Sequence, residues 1–203
     1  MATVEFFYDY SSPWTYLAFT KIEGLCRKYN ADLQWRPFLV GGVFNTVNPS
    51  VYEFREKGVP AKQHYTAKDM NDWARYYGLK IVMPPSVFPV NSVKALRGAL
   101  VALEHPGTFL PYSYRVFETY WGEDRDISQD AVLRKIVEEV GLDGEEYFDK
   151  IARQDYKDRV RANTDAVIER GGFGTPTIYV NGDSMFFGND RLVLVEEELK
   201  RSA

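Results

Sequence analysis

The sequence is short of the residues that most often carry redox, metal or nucleotide chemistry. Its 203 residues include one cysteine, Cys26, so no internal disulfide can form. Its two histidines, His64 and His105, lie in separate segments without ligand spacing to each other or to Cys26, which argues against a metal site. Neither Gly-x-Gly-x-x-Gly nor Gly-x-x-x-x-Gly-Lys-Ser/Thr occurs, which removes the common nucleotide-binding loops. The net charge is -4, and a nucleic-acid surface would instead show a clustered basic face. No apolar run reaches about 18 residues, so no membrane span is expected. The chain enters a strand pattern without a basic and apolar leader, so no signal peptide is expected, and the expected setting is a cytoplasm.

What is present is a globular composition, with 45% hydrophobic and 27% charged residues. Aromatics reach 15%, with 14 Tyr, 13 Phe and 4 Trp. They either fill the core or, in part, line a pocket for a flat apolar substrate.

Residues 4–10 are almost all apolar or aromatic, as in a strand buried on both faces. Pro13 suits the first turn of a helix, and apolar residues recur at helical spacing until Asn30. Residues 32–38 read as a second strand, parallel to the first across the helix. Gly41-Gly42 and Asn48-Pro49-Ser50 predict that 39–60 is a loop with little secondary structure, of a length that tends to be functional. From 61 to 170 the period is helical. Sheet structure returns at 177–181, turns at Asn181-Gly182-Asp183 and pairs with 184–187 before a last helix.

A strand-to-helix turn near the start and Gly174-Thr175-Pro176 before a late strand form the skeleton of a thioredoxin-like fold. Redox members place Cys-x-x-Cys at the first turn; here it reads Ser12-Pro13-Trp14-Thr15. A helix N-terminus favours an anion and lowers a thiol pKa. Ser12 therefore reads as a donor to the thiolate of a bound thiol, or simply as the helix N-cap, with Ser11 as a competitor. Thr175-Pro176 reads as a cis peptide presenting the Thr175 backbone to an extended peptide, or as an ordinary trans proline. Asn189 and Asp190 either cap the last helix or hold a carboxylate and an ammonium. Cys26, on the apolar face of the first helix, reads as a small core residue.

Together, Phe7-Tyr8-Asp9-Tyr10-Ser11-Ser12-Pro13, Trp35-Arg36-Pro37-Phe38 with Gly41-Gly42, Phe173-Gly174-Thr175-Pro176-Thr177 and Phe187-Gly188-Asn189-Asp190-Arg191 span nearly the whole chain. In this order they resemble the kappa-class glutathione transferases and the bacterial 2-hydroxychromene-2-carboxylate isomerases, within the DsbA-like thioredoxin group. The resemblance implies an α/β fold with a thioredoxin-like domain at 1–60 and 165–203, split by an all-helical insertion at 61–164. It implies glutathione as the bound thiol, a small aromatic substrate and a homodimer. Ser12 then stabilises the thiolate, Thr175 before Pro176 pairs with the cysteinyl backbone, Asn189 and Asp190 hold the γ-glutamyl end, and Asn48 reaches the glycine end. The implied activity is a glutathione-dependent isomerase that adds the thiolate reversibly to an aromatic substrate. The alternatives are a transferase that consumes glutathione, or a peptide-binding module without chemistry. Asn45 stands where family loops often carry a lysine near the electrophile, leaving Arg36, Arg55 or Lys62 to meet a substrate carboxylate.

Overall fold

The computed structural model describes residues 1–202, and Arg55 by its backbone alone. Four strands, β1 (Thr3–Tyr8), β2 (Asp32–Pro37), β3 (Thr177–Val180) and β4 (Ser184–Phe187), form one sheet in the order β2-β1-β3-β4. β1 runs parallel to β2 and antiparallel to β3, and β3 is antiparallel to β4. The β3–β4 turn uses Asn181 and Gly182 at φ 50° and 89°, the left-handed pair that a tight hairpin demands.

β1 is buried on both faces, as its composition predicts. Phe6 and Tyr8 join a large core that also takes in Phe19, Phe109 and Phe117. Phe7 points into a smaller cluster with Phe38, Val43, Val167 and Tyr179. The aromatic excess is therefore mostly core, with Phe19 and Trp35 at 4.8 Å between ring centres and Trp35 and Phe109 at 4.9 Å.

Helix α1 (Pro13–Lys28) starts on the Ser12 cap, ends with Arg27 and Lys28 in its last turn, and is followed by Asn30 at φ 51°. Residues 39–60 depart from expectation: they form α2 (Val40–Val47) and α3 (Ser50–Lys57). Gly41-Gly42 lowers helix propensity, but packing overrides it. A Cβ at Gly42 would sit 3.0 Å from Thr164 Cγ2 on α9 (Gln154–Glu169), so glycine lets the two helices close up. The Thr164 hydroxyl also accepts the Leu39 N–H at 3.0 Å and fixes the entry to α2.

The middle of the chain is helical: α4 (Pro60–Tyr77), α5 (Val93–Glu104), α6 (Phe109–Phe117) with a π-turn at Glu118–Gly122, α7 (Asp130–Glu139), α8 (Gly144–Ala152) and α9. Residues 78–92 carry no helix or strand and contain cis peptides at Met83–Pro84 and Phe88–Pro89. The Tyr10 hydroxyl meets Ser113 at 2.8 Å, and Trp121 Nε1 donates to Tyr10 O at 2.9 Å, so the helical part grips the turn that precedes α1. Gly98 makes room for the Tyr112–Tyr147 hydroxyl pair, because a Cβ there would lie 2.1 Å from the Tyr147 oxygen. After β4, a short 3-10 turn at Asn189–Arg191 leads into α10 (Leu192–Arg201). No helix among the described residues is long and apolar enough to cross a membrane.

Candidate active site

Ser12 adopts an extended backbone and caps α1, its Oγ accepting the Thr15 N–H at 3.2 Å. The same hydroxyl donates to the Thr175 carbonyl at 3.4 Å, a long bond that a stronger acceptor can displace. The Thr175–Pro176 peptide is cis, and the Thr175 side chain is buried against α1. Its hydroxyl pairs with that of Thr15 at 2.8 Å and accepts the Asp9 N–H at 3.1 Å. One hydroxyl thus ties both the turn before α1 and the first turn of α1 to a loop about 160 residues away in sequence.

Asp9 is fully buried beneath this turn. Its carboxylate accepts the Ser92 hydroxyl at 2.6 Å and the N–H groups of Ser11 and Val40, both at 2.9 Å. Burial pushes its pKa up, and these donors act against the rise. Asp9 therefore ties the turn before α1 to the start of α2 and to the residue before α5. Ser11 leans on this carboxylate while Ser12 caps the helix, which separates the two serines that spacing alone left in competition.

Ser12, Thr175 and Asn48 all line one cleft of about 630 Å³. One wall comes from 9–14, α2 and α3, and another from the irregular segment through Met83, Phe88 and Val90. Phe173 and Phe187 close a third side, with ring centres 4.5 Å apart. Gly174 is needed for this contact, since a Cβ there would meet the Phe187 ring at 2.7 Å. The cleft is mostly apolar and, among the described residues, no lysine, arginine or cysteine lines it.

Asn48 donates from Nδ2 to the Phe173 carbonyl at 3.0 Å and accepts the Ser50 hydroxyl at 2.7 Å, pinning the α2–α3 junction to the cis-proline loop. Pro176, Asn189 and Asp190 do not line the cleft. They adjoin lining residues in the chain, and Gly188, at φ 101°, donates its N–H to Pro176 O at 3.1 Å. Asn189 is buried with its Nδ2 unpartnered, and Asp190 pairs with Arg191 at the surface.

Arg36 pairs with Glu5 at 3.1 Å, and Lys62 is exposed on α4; neither lines the cleft. The Arg55 side chain lies outside the described residues. Asn45 accepts the Tyr52 hydroxyl at 2.8 Å. Cys26 is buried in the core, and burial first, then nearby acids, push its thiol up to about 12. Sequence reasoning missed Asp9, Ser92 and the 83–93 wall. An Asp three residues before a helix-capping Ser, and two X-Pro pairs in an otherwise helical block, were the available signals.

Residues 3–200 match the DSBA-like thioredoxin domain model. The 2-hydroxychromene-2-carboxylate isomerase of Pseudomonas putida is 28% identical, over 98% of this chain and 94% of that protein. Human glutathione S-transferase kappa 1 is 30% identical, over 95% of this chain and 88% of that protein. A solved 2-hydroxychromene-2-carboxylate isomerase superposes with a TM-score of 0.82 at 27% identity, covering 98% of this chain and 95% of that one.

Proposed function

The chain belongs to the DsbA-like thioredoxin family, in the group of the kappa glutathione transferases and 2-hydroxychromene-2-carboxylate isomerases, and on that footing we propose that it is a glutathione-dependent isomerase acting on a small aromatic substrate. The observation that carries the reading is Ser12. Its hydroxyl sits at the N-terminus of α1, on the wall of an apolar cleft, with its proton on a 3.4 Å bond to Thr175 O.

The residues present suit glutathione. Among the described residues the cleft holds no thiol of the chain, while it offers a hydroxyl donor and a helix N-terminus to an anionic sulfur. Thr175 would pair with the cysteinyl backbone, Asn48 would hold the glycine end, and Asn189 with Asp190 the γ-glutamyl end. When bound, glutathione supplies the thiolate nucleophile. The chain's own part is to donate the Ser12 proton toward sulfur, to brace the turn through Thr15, Thr175 and Asp9, and to keep water from the reacting face with Trp14, Phe88 and Val90. A shift of one pKa unit corresponds to about 1.36 kcal/mol, so a helix terminus and one hydroxyl supply enough to hold the sulfur ionised near neutrality. The enzyme would work in the cytoplasm as a homodimer, with its thioredoxin part at 1–60 and 165–203 and its helical part at 61–164.

The lack of a lysine or arginine among the described residues lining the cleft favours a second reading, in which an uncharged flat electrophile is conjugated by a transferase. Calorimetric titration with glutathione, followed by a chromene-carboxylate absorbance assay, decides. An isomerase binds glutathione, gains thermal stability by mass action, and turns over substrate without consuming the thiol. Net loss of thiol points to the transferase, and no binding of glutathione sinks both.

A further inference from the structure

Leu39 and Val93 line not only the cleft but also a second cavity of about 470 Å³, bounded by α2, α5 and α9. From α9 it receives Gln154, Lys157, Arg161, Asp165 and Ile168, a spacing of three and four that puts them on one helix face. Arg97 enters from α5, and Thr46 from α2. Three cations thus face one carboxylate, that of Asp165.

Neighbouring cations are neutralised. Lys94 pairs with Asp130 at 2.6 Å, Arg153 with Asp155 at 2.9 Å, and both Lys150 and Arg159 with Glu104 at 3.1 and 2.7 Å. Arg97, Lys157 and Arg161 form no ion pair among the described residues. Arg97 is the most constrained of the three. It is half-buried, spends Nη1 on the Ile151 carbonyl at 3.3 Å, and has a buried Nε with no partner. Arginine stays charged in proteins, so a half-buried guanidinium without a counter-charge carries a desolvation cost that an anion relieves.

We propose that this cavity is an oxyanion subsite in which Arg97, Lys157 and Arg161 take a carboxylate or phosphate group. The planar guanidinium fork suits either group, and an anion here sits one side-chain layer from the cleft, across Leu39 and Val93. The group comes either from a carboxylate arm of the aromatic substrate or from a free anion bound next to it. The first source rests on the glutathione reading; anion binding itself does not.

The test uses the full chain and the Arg97→Gln and Lys157→Gln/Arg161→Gln variants, with folding checked by circular dichroism. Calorimetry with benzoate and with inorganic phosphate should show binding of at least one by the wild type. That binding should weaken as salt rises and fall about tenfold or more in each variant. To assign the source, kcat/KM is compared for a chromene carboxylate and its methyl ester. A substrate arm makes the loss in the variants at least about ten times larger for the carboxylate than for the ester. A free anion changes both substrates alike while anion binding is lost. Absent binding of both probes by the wild type, or unchanged binding in both variants, overturns the subsite. If no substrate is turned over with glutathione, the enzymatic reading fails and calorimetry alone decides the subsite.

Discussion

Thr15 and Thr175 meet through their hydroxyls at 2.8 Å, joining the first turn of α1 to the cis-proline loop. Thr15 holds the last of the four places, that of the second cysteine, where redox members of this fold carry Cys-x-x-Cys. A neutral hydrogen bond there replaces a disulfide partner, and Ser12 replaces the other. The turn that lowers a thiol pKa survives without a thiol of its own.

Ser12→Ala should leave the fold intact, at a cost of about 1 kcal/mol for the lost N-cap. It should raise the thiol pKa of bound glutathione and cut turnover. Thiolate absorbance of the complex, followed against pH, checks this; a titration curve matching wild type would remove Ser12 from the chemistry.

Asp190→Ala should weaken glutathione binding more than it slows turnover at saturation. Loss of one charged hydrogen bond costs about 1.5–3 kcal/mol, or roughly tenfold or more in affinity. Titration calorimetry measures the change. An unaltered dissociation constant would leave Asp190 as a surface partner of Arg191.

Asp9 should give the pH profile of stability an unusual slope. Burial raises its folded pKa above the ordinary value of 3.8. Its contribution is fully present below 3.8 and is lost as pH rises through the folded pKa, because the native state keeps a proton that the unfolded chain has released. Denaturant melts of wild type and Asp9→Asn from about pH 4 to 7 should show this decline only in the wild type. Parallel profiles would mean that Asp9 ionises normally.

Cys26→Ser should be nearly silent in catalysis and should lower stability by placing a hydroxyl in the core. The thiol is buried, and its pKa is pushed up to about 12, so the native protein should resist alkylation at neutral pH. An enzyme inactivated by blocking Cys26, while still folded and binding glutathione, would show that its own sulfur does the work.

Local pattern alone determined the strand-to-helix start, Pro13 in the first turn of α1, the 181–183 hairpin turn and the burial of β1 on both faces. Each depends on residues within one or two turns of each other. Tertiary structure decided the rest. Gly41-Gly42 became helix because α2 closes onto Thr164, a contact between residues more than a hundred positions apart. Asp9 gained its role only when Val40 and Ser92 folded onto it. The 83–93 segment lines the cleft, a placement that helical periodicity does not reveal. Gln154, Lys157 and Arg161 share one face of α9, but the cavity they line with Arg97 exists only where α5 and α9 pack together. Caps and periods are short-range physics, whereas burial of a charge depends on what the whole chain brings beside it.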